Sequence, residues 1–294
     1  MGKNGHPRIP DLRYRAAVGS PPGAEVLNLA DLPERARRHG NDPYRPKRPA
    51  FHQLLAVRGG SCTVTVDFTA HRLGAGDWLW IRPGQVQQWG TDLAHAQGLL
   101  VLFEPGFLDA GTLRAAAPGL PYTEGPTRLS GARARGVERA LDHVLAEYAD
   151  LPDLPVELYL RTLRHLVSVL VLRLGAVLGE QRPEATPTTA FVRFHDAVER
   201  DFATTRRVDE YAAALGYNPR TLTRATMAAA GVTAKKYIDD RVLLEAKRLL
   251  AHDTDSAAAV ARTLGFADPS DFTKFFRVRT GTTPAAFRAA AQGL

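Results

Sequence analysis

Hydrophobic residues change their spacing along this chain of 294 residues, and the changes mark its structural regions. Between Phe51 and Phe103, apolar residues form short runs or alternate with polar ones, and Gly and Pro interrupt them repeatedly. A two-residue period is typical of β-strands, because successive side chains then point to opposite faces. We expect strands at residues 51–57, 62–68, 77–81 and 98–103. Short strands separated by Gly and Pro turns indicate a small β-barrel or sandwich.

From Ser130 the apolar residues recur at the spacing of an amphipathic helix. We expect helices at residues 135–148 and 155–178. The second helix carries an apolar stripe at steps of three and four residues, formed by Val156, Leu160, Leu163, Val167, Leu170 and Leu174. Such a stripe packs either on the helix's own barrel or on the same helix of a second copy. We favour the dimer seam, because Leu166, Val169 and Val171 leave apolar surface on more than one side.

Two segments have no sustained period. Residues 1–49 are rich in Pro, Gly and Arg and predict an extended N-terminal arm with a short helix at 31–39. Residues 180–190 contain two prolines among polar residues, which is typical of a linker between domains. We therefore expect an α+β fold of two domains, with a β-barrel and flanking helices at residues 50–179 and an all-α domain at residues 191–294.

The region after the linker contains a helix–Gly–helix pattern. Helix 208–215 ends at Gly216, which readily adopts the left-handed conformation that terminates a helix. Asn218 is a suitable N-cap for a second helix that runs to residue 230, and Pro219 suits its first position. Two short helices joined by a tight turn form a helix-turn-helix, whose second helix enters the major groove of DNA.

The same pattern recurs about fifty residues later. Helix 257–264 ends at Gly265, Phe266 packs the turn, and a second helix spans residues 269–279. A longer helix at 234–250 connects the two units and would fix the separation of their second helices. One copy alone favours a plain helical hairpin, whereas two copies with basic second helices favour paired units that enter successive major grooves.

Spacing along the second helices separates inward from outward side chains. Leu222, Ala225 and either Met227 or Ala229 point inward in the first unit. Phe272 and Phe276 do so in the second. The outward side chains that we expect to contact DNA are Arg220, Thr221, Thr223, Arg224, Ser270, Asp271, Thr273, Lys274 and Arg277. An arginine side chain can donate hydrogen bonds to O6 and N7 of guanine at the same time, and a helix N-terminus attracts phosphate.

Specific motifs in this region carry a family resemblance. They are the string from Leu264 to Phe276, then Gly281-Thr-Thr-Pro284, and then Phe287-Arg288. With them, residues 208–288 resemble the DNA-binding domain of the AraC/XylS family of bacterial transcription regulators, and residues 241–250 are similar to its connector helix. Thr226 stands where the first unit of this family usually has Phe, so we expect Met227 to pack that core instead.

The resemblance also implies a cupin-like sensor barrel before the linker, because residues 73–89 look like the strand, Pro-Gly turn and strand of such barrels. A small-molecule effector would lie in this barrel. The residues that we expect to form its pocket are Phe51, Gln53, Trp78, Trp80, Gln87 and Trp89. Aromatic walls with a few amides suit an apolar ligand with one or two polar groups. Alternatively, the tryptophans only fill the barrel.

Catalytic cupins hold a metal ion through several His and a carboxylate, and the residues of the predicted barrel do not match this set of ligands. Gln87 stands where one such His would fall, and a neutral amide is a poor ligand for transition metals. His52, His71 and His95 are scattered, which is more typical of surface or core histidines. We therefore predict no catalytic residue, no metal site and no cofactor, with a cupin-type metalloenzyme as the alternative.

Composition changes this picture little. The formal net charge is +7, but residues 191–294 hold 16 Lys and Arg against 12 Asp and Glu, so the excess is spread nearly evenly and does not itself indicate DNA binding. Cys62 is the only cysteine, which excludes an internal disulfide and is typical of the reducing cytosol. No stretch approaches the roughly 18 apolar residues of a membrane span, and the polar start does not resemble a secretory signal.

Together these patterns predict a cytoplasmic, homodimeric transcription regulator that does not contact the membrane. We expect it to bind promoter half-sites in double-stranded DNA and to respond to a small-molecule effector. RNA polymerase would be a further partner of an activator. A ligand-independent DNA-binding regulator remains an alternative.

Overall fold

The computed structural model describes residues 9–16, 21–116, 125–149, 155–180, 188–252 and 255–291. These residues form two compact lobes. The N-terminal lobe contains the described residues from 11 to 180, and the C-terminal lobe contains those from 188 to 291 together with Ile9 and Pro10. The predicted linker at 180–190 lies largely outside the described residues.

The N-terminal lobe combines strands with four helices, counted over the described residues. Its strands are β1 (Asp11–Leu12), β2 (Ala24–Asn28), β3 (Arg48–Pro49), β4 (His52–Gly59), β5 (Ser61–Val66), β6 (Thr69–Gly74), β7 (Asp77–Ile81), β8 (Gln87–Trp89), β9 (Gln97–Phe103) and β10 (Thr127–Arg128). Its helices are α1 (Leu32–Arg38), α2 (Ala110–Ala116), α3 (Gly131–Ala149) and α4 (Val156–Glu180).

Two antiparallel sheets enclose the core of the barrel. A five-stranded sheet has the order β10-β7-β4-β9-β2, and a three-stranded sheet has the order β6-β5-β8. Leu55, Leu79 and Leu100 of the first sheet share one buried cluster with Val64 and Trp89 of the second. This arrangement confirms the predicted barrel and the α+β fold.

Helices α2, α3 and α4 cover the other face of the five-stranded sheet. Leu54, Trp78 and Val101 of the sheet share a buried cluster with Val137 of α3 and Leu170 of α4. Because both faces of this sheet are buried, β4 and β9 are apolar along most of their length instead of alternating strictly.

The apolar stripe that is predicted to form a dimer seam packs on the helix's own barrel. Leu163, Val167, Leu170 and Leu174 are at most 1% exposed and belong to the cluster beneath α4. Leu160 is partly buried against the same cluster, whereas Val156 at the start of the helix is exposed. The seam prediction is therefore wrong for the buried residues of the stripe, because this face of α4 covers the sheet.

Part of the predicted N-terminal arm belongs to the barrel. Strand β2 pairs with β9 along its whole length of five residues and is buried at four of them. The short helix predicted at 31–39 is confirmed as α1. The arm prediction is wrong for β2, because five residues buried on both faces are too few to show a period.

The strand predicted at 62–68 ends earlier, at Val66. Asp67 and Phe68 have φ angles of 46° and 69° and form the turn to β6. The Asp67 carboxylate accepts hydrogen bonds from the Val86 amide at 3.0 Å and from Gln85 Nε2 at 2.8 Å. These bonds hold a conformation that residues with a side chain rarely adopt.

The C-terminal lobe is all-α in its described residues. Its helices are α5 (Thr189–Asp201), α6 (Val208–Leu215), α7 (Pro219–Ala230), α8 (Ala234–His252), α9 (Ala257–Thr263), α10 (Pro269–Thr280) and α11 (Pro284–Ala291). The two helix–Gly–helix patterns and the connector helix are confirmed to within two residues at each end. Within the described ranges, none of the helices combines the length and the apolar character that a membrane span needs.

Candidate DNA-binding and effector sites

The first helix-turn-helix consists of α6 and α7. Helix α6 ends at Gly216, whose φ of 71° lies in the left-handed region. The Asn218 side-chain oxygen accepts a hydrogen bond from the Thr221 amide at 2.8 Å and caps α7. The predicted turn and cap are thus both confirmed.

Thr226 itself fills the inward position of α7 where the resemblance implies Phe. It is fully buried, and its hydroxyl donates to the Leu222 carbonyl at 2.7 Å, so the polar group is satisfied within the helix. Leu222 and Ala225 are buried as predicted. Met227 is 47% exposed, so the prediction that it packs this core is wrong. It lies about 100° around the helix from Thr226 and faces outward.

The second helix-turn-helix consists of α9 and α10. Asp268 caps α10 by accepting a hydrogen bond from the Ser270 amide at 2.7 Å, and this bond lowers the pKa of the Asp268 carboxyl below its ordinary value. Phe272 and Phe276 are fully buried, and the Phe266 ring lies edge-on to Phe272 with centroids 5.3 Å apart. The predicted aromatic core is confirmed.

The side chains that are predicted to contact DNA lie on the outer faces of α7 and α10. Those that are exposed are Arg220, Arg224, Ser270, Asp271, Lys274 and Arg277. Thr221, Thr223 and Thr273 are partly buried, and the Thr273 hydroxyl donates to the Pro269 carbonyl at 3.0 Å. Each second helix therefore presents positive charge on its outer face.

Two exposed apolar side chains extend these faces beyond the predicted residues. Met227 of α7 is 47% exposed, and Val278 of α10 is 72% exposed. The caps Asn218 and Asp268 lie fifty positions apart, and the same shift pairs Met227 with the outward Arg277. Aligning the two units on their caps is the sequence signal that identifies Met227 as an outward residue.

A buried carboxylate on the connector α8 holds α10 in place. Asp239 is 4% exposed and accepts hydrogen bonds from Arg279 at 2.6 Å and from Lys235 at 2.7 Å. Lys235 also donates to the carbonyl of Arg206 at 3.2 Å. Because Arg279 lies on α10, the ion pair orients this helix relative to the connector. Hydrophobic periodicity gives no signal for such a pair, whose members lie 40 residues apart.

The barrel of the N-terminal lobe contains a cavity. Phe51, Gln53, Gln87 and Trp89, four of the predicted pocket residues, line it. Gln53 Nε2 donates to Gln87 Oε1 at 2.8 Å, so the two amides satisfy each other. The cavity has a volume of about 40 Å³. It adjoins an outer cleft of about 220 Å³, with which it shares Phe51.

Trp78 and Trp80, which are also predicted to line the pocket, lie on the opposite face of the sheet. Leu79 and Ile81 of β7 face the barrel core, whereas both tryptophans pack toward the helices. The Trp78 indole donates to Glu138 of α3 at 3.2 Å. The prediction is wrong for these two residues, because a shift of one position along a strand moves a side chain to the other face.

Lys47 lines the cavity and is absent from the predicted pocket. It is 6% exposed, and its amide and carbonyl exchange hydrogen bonds of 2.8 Å with those of Gln87. Directly opposed residues of an antiparallel pair have side chains on the same face, so Lys47 and Gln87 share one face. Burial lowers the pKa of Lys47 below its ordinary value. A single lysine in an irregular segment offers no pattern from which burial is predictable.

His52 is a partly buried histidine. Its Nδ1 lies 3.2 Å from the donating Trp80 indole, and its ring stacks on Phe103 with centroids 4.6 Å apart. Burial lowers the pKa of His52 to about 3, so its imidazole is neutral at neutral pH. Across the described part of the chain, His, Cys, Asp and Glu do not come together in groups of three or more that could hold a metal ion.

Known families match both lobes. The family of AraC-like ligand binding domains matches residues 34–163, and the family of helix-turn-helix domains matches residues 211–290. The chain belongs to the AraC family of transcriptional regulators. The first match extends from α1 into α4, and the second extends from α6 to α11.

Curated transcription regulators are similar to part of this chain. The probable transcription factor PqrA of Proteus vulgaris is 34% identical over 82 residues, which are 28% of this chain and 67% of that protein. The uncharacterized HTH-type transcriptional regulator YisR of Bacillus subtilis (strain 168) is 32% identical over 81 residues, which are 28% of this chain and 28% of that protein. The match to YisR thus spans little more than a quarter of its length.

Among solved structures, ToxT of Vibrio cholerae strain SCE256 with a bound unsaturated fatty acid covers 94% of this chain and 98% of its own. Its sequence identity is 10% and its TM-score is 0.41. Similarity at this level carries no conclusion about ligands, so the assignment to the AraC family rests on the two family matches.

Proposed function

We propose that the protein is a sequence-specific, DNA-binding transcription regulator that responds to a small-molecule effector in its N-terminal lobe. The observation that carries the proposal is the pair of capped helix-turn-helix units with exposed basic side chains on their second helices. These side chains are Arg220 and Arg224 on α7, and Lys274 and Arg277 on α10. Their charged groups suit guanine edges and phosphates.

In this proposal α7 and α10 are the reading helices. Arg224 and Arg277 contact base edges, whereas Arg220 and Lys274 contact phosphates. The shorter side chains Thr221, Thr223, Ser270, Asp271 and Thr273 complete the contact surface. Connector α8, with its Asp239–Arg279 ion pair, holds the helices so that they enter successive major grooves.

The effector site of this proposal is the cavity of the barrel. Phe51 and Trp89 supply apolar walls, and Gln53 and Gln87 supply polar groups. The protein would act by binding alone, without a catalytic step. Burying the Lys47 side chain in this cavity costs free energy that a bound ligand could offset. This residue therefore favours an effector-responsive protein over a ligand-independent one.

We further propose that the protein forms a homodimer through the exposed face of α4. Leu158, Val169 and Leu172 are 48%, 44% and 40% exposed. With Thr162, His165 and Ala176 they follow steps of four and three residues, the spacing of a coiled-coil seam. A second copy of α4 is the matching occupant, because a two-fold axis brings the same stripe to both sides of the interface.

The remaining parts of the proposal concern partners and location. Residues 180–190 would link the sensor lobe to the DNA-binding lobe, and a dimer would place two DNA-binding lobes on adjacent promoter half-sites. An activator of this kind contacts RNA polymerase. The protein would act in the cytoplasm, where bacterial DNA is accessible to it.

Selection of binding sites from a random pool of duplex DNA tests this proposed function. The full chain is immobilised, and bound duplexes are amplified and sequenced over several rounds at a stated salt concentration. We expect one enriched motif with two half-sites. A folded protein that enriches no motif would contradict the proposal.

A further inference from the structure

The cavity of the N-terminal lobe contains a buried cation that lacks a counter-ion. Lys47 is 6% exposed, and its ammonium makes no hydrogen bond or ion pair with any residue of the described ranges. Asp42 is the acid whose charge acts on Lys47, but it accepts a hydrogen bond from the Tyr44 amide at 2.9 Å and pairs with the exposed Arg45. An ammonium in this environment destabilises the folded protein until an anion neutralises it.

Two other cations line the cavity with Lys47, and each is paired: Arg35 bonds to the Glu25 carboxylate, and Arg45 pairs with Asp42. Gln53 and Gln87 bond to each other through their amides, and they contribute polarity without charge. The apolar part of the lining comes from Phe51, Trp89, Leu100 and Leu102. A ligand for this cavity therefore needs apolar surface together with one negative group.

The entrance carries positive charge as well. The outer cleft of about 220 Å³ is lined by Arg13 and Arg15, both exposed, and by Asp11. Arg35 also lines it, but its guanidinium bonds to the Glu25 carboxylate. A cleft with an excess of arginine attracts anions and raises their local concentration.

We propose that the barrel cavity binds a small organic carboxylate, with the Lys47 ammonium as its counter-ion. The proposal rests on the proposed function, since it names the chemical class of the effector. The carboxylate pairs with Lys47 beside the Gln53–Gln87 amides, and the apolar body lies against Phe51 and Trp89. The cavity of about 40 Å³ holds only a few non-hydrogen atoms, so the ligand is short or extends into the outer cleft.

Calorimetric titration and thermal unfolding of the full chain test the proposal. The probes are straight-chain monocarboxylates of three to eight carbons and benzoate, each compared with its primary amide. We expect at least one acid to bind the wild type and raise its Tm, and the matching amide to bind at least tenfold more weakly. We expect Lys47→Met to lose at least tenfold in affinity for that acid. Arg72→Met is the matched control, because Arg72 is exposed on β6 and lies outside the cavity lining.

The ligand-free variants give a second, independent readout. Lys47→Met removes the unneutralised charge, so we expect its Tm without ligand to exceed that of the wild type. Lys47→Gln serves in its place if the methionine variant does not fold by circular dichroism. The proposal is overturned if no acid binds at 10 mM, a concentration of the order at which millimolar sites fill. Equal binding of acid and amide, or of wild type and Lys47→Met, would overturn it too.

These outcomes are separable from the failure of the proposed function. Enrichment of a DNA motif without Lys47-dependent acid binding sinks the carboxylate proposal and leaves the DNA-binding regulator intact. If the chain binds an acid through Lys47 but enriches no DNA motif, the carboxylate site stands and the proposed DNA-binding function fails.

Discussion

Asp239 couples the connector helix to the second reading helix through a single buried carboxylate. It is 4% exposed and bonds to both Arg279 and Lys235. We expect Asp239→Asn to lower the free energy of unfolding by about 2 kcal/mol, because the two cations lose a buried partner. Urea unfolding followed by far-ultraviolet circular dichroism measures this loss. Tryptophan fluorescence would not report on this lobe, because Trp78, Trp80 and Trp89 all lie in the N-terminal lobe.

Asp240→Asn is the matched control for this variant. The Asp240 carboxylate is 47% exposed and pairs with Lys236 on the same helix, so its loss is expected to cost at most about 0.5 kcal/mol. Similar losses in the two variants would show that the Asp239 pair does not hold α10.

Val278 is the most exposed of the large apolar side chains on the reading faces, at 72%. Apolar side chains on reading helices contact the methyl group of thymine in the major groove. We expect a thymine in the selected site whose replacement by uracil weakens wild-type binding by about 1 kcal/mol, the contribution of one buried methyl group. Val278→Ser is expected to abolish this sensitivity. Electrophoretic titration of both duplexes with both proteins measures it, and equal sensitivity in the two proteins would contradict the contact.

At the scale of elements, the turn of the second helix-turn-helix is packed against the loop before α6. A Cβ on Gly265 would lie 2.2 Å from the Ala203 carbonyl oxygen, at a φ of 72°. The Arg206 guanidinium lies 3.5 Å from the centroid of the neighbouring Phe266 ring, a cation–π contact. Loop contacts therefore join the two helix-turn-helix units in addition to α8.

Gly265→Ala tests this packing, with Gly281→Ala as the control. Gly281 has a similar φ of 75°, and no described atom lies within 4 Å of the Cβ that it would carry. The control variant bears only the backbone strain of about 1–2 kcal/mol. We expect Gly265→Ala to lower the Tm clearly further in a calorimetric scan, and equal Tm values would argue against the close approach.

The helical elements were predictable because their signals are local. Asn218, Gly216 and Gly281 mark helix ends through the chemistry of single residues, and Phe272 and Phe276 show the inward face by their spacing. The β-elements were less predictable, because the face of a strand depends on register. Trp78 and Trp80 are aromatic residues beside a turn, but only their pairing partners decide that they face the helices.

The candidate sites follow the same division. The outward residues of α7 and α10 could be read from helical spacing, whereas Asp239 and Lys47 could not. Asp239 and Lys47 are both ionisable side chains that are buried, although such side chains are usually exposed. The partner of each, Arg279 for Asp239 and the backbone of Gln87 for Lys47, is distant in the chain. Burial of such groups becomes visible only when the elements around them are assembled.

At the scale of the whole molecule, dimerisation depends on which face of α4 is free. We expect Val169→Asp with Leu172→Asp to yield folded monomers, because both side chains are exposed in one chain and their charges would repel across a two-fold axis. Sedimentation velocity measures the mass, and circular dichroism checks the fold.

Leu163→Asp with Leu170→Asp is the contrasting variant. Both leucines are fully buried on the face of α4 that covers the sheet, so we expect loss of folding and not of dimerisation alone. A dimer that survives Val169→Asp with Leu172→Asp would contradict the proposed seam.

The central claim is that the paired helix-turn-helix units read DNA sequence. The most direct measurement is the affinity of the full chain for its selected duplex and for a shuffled duplex, by fluorescence anisotropy at one salt concentration. We expect the wild type to prefer the selected duplex by about a thousandfold or more. Arg224→Ala and Arg277→Ala should each reduce that preference by about 1–3 kcal/mol. Equal affinity of the folded wild type for both duplexes would contradict the account.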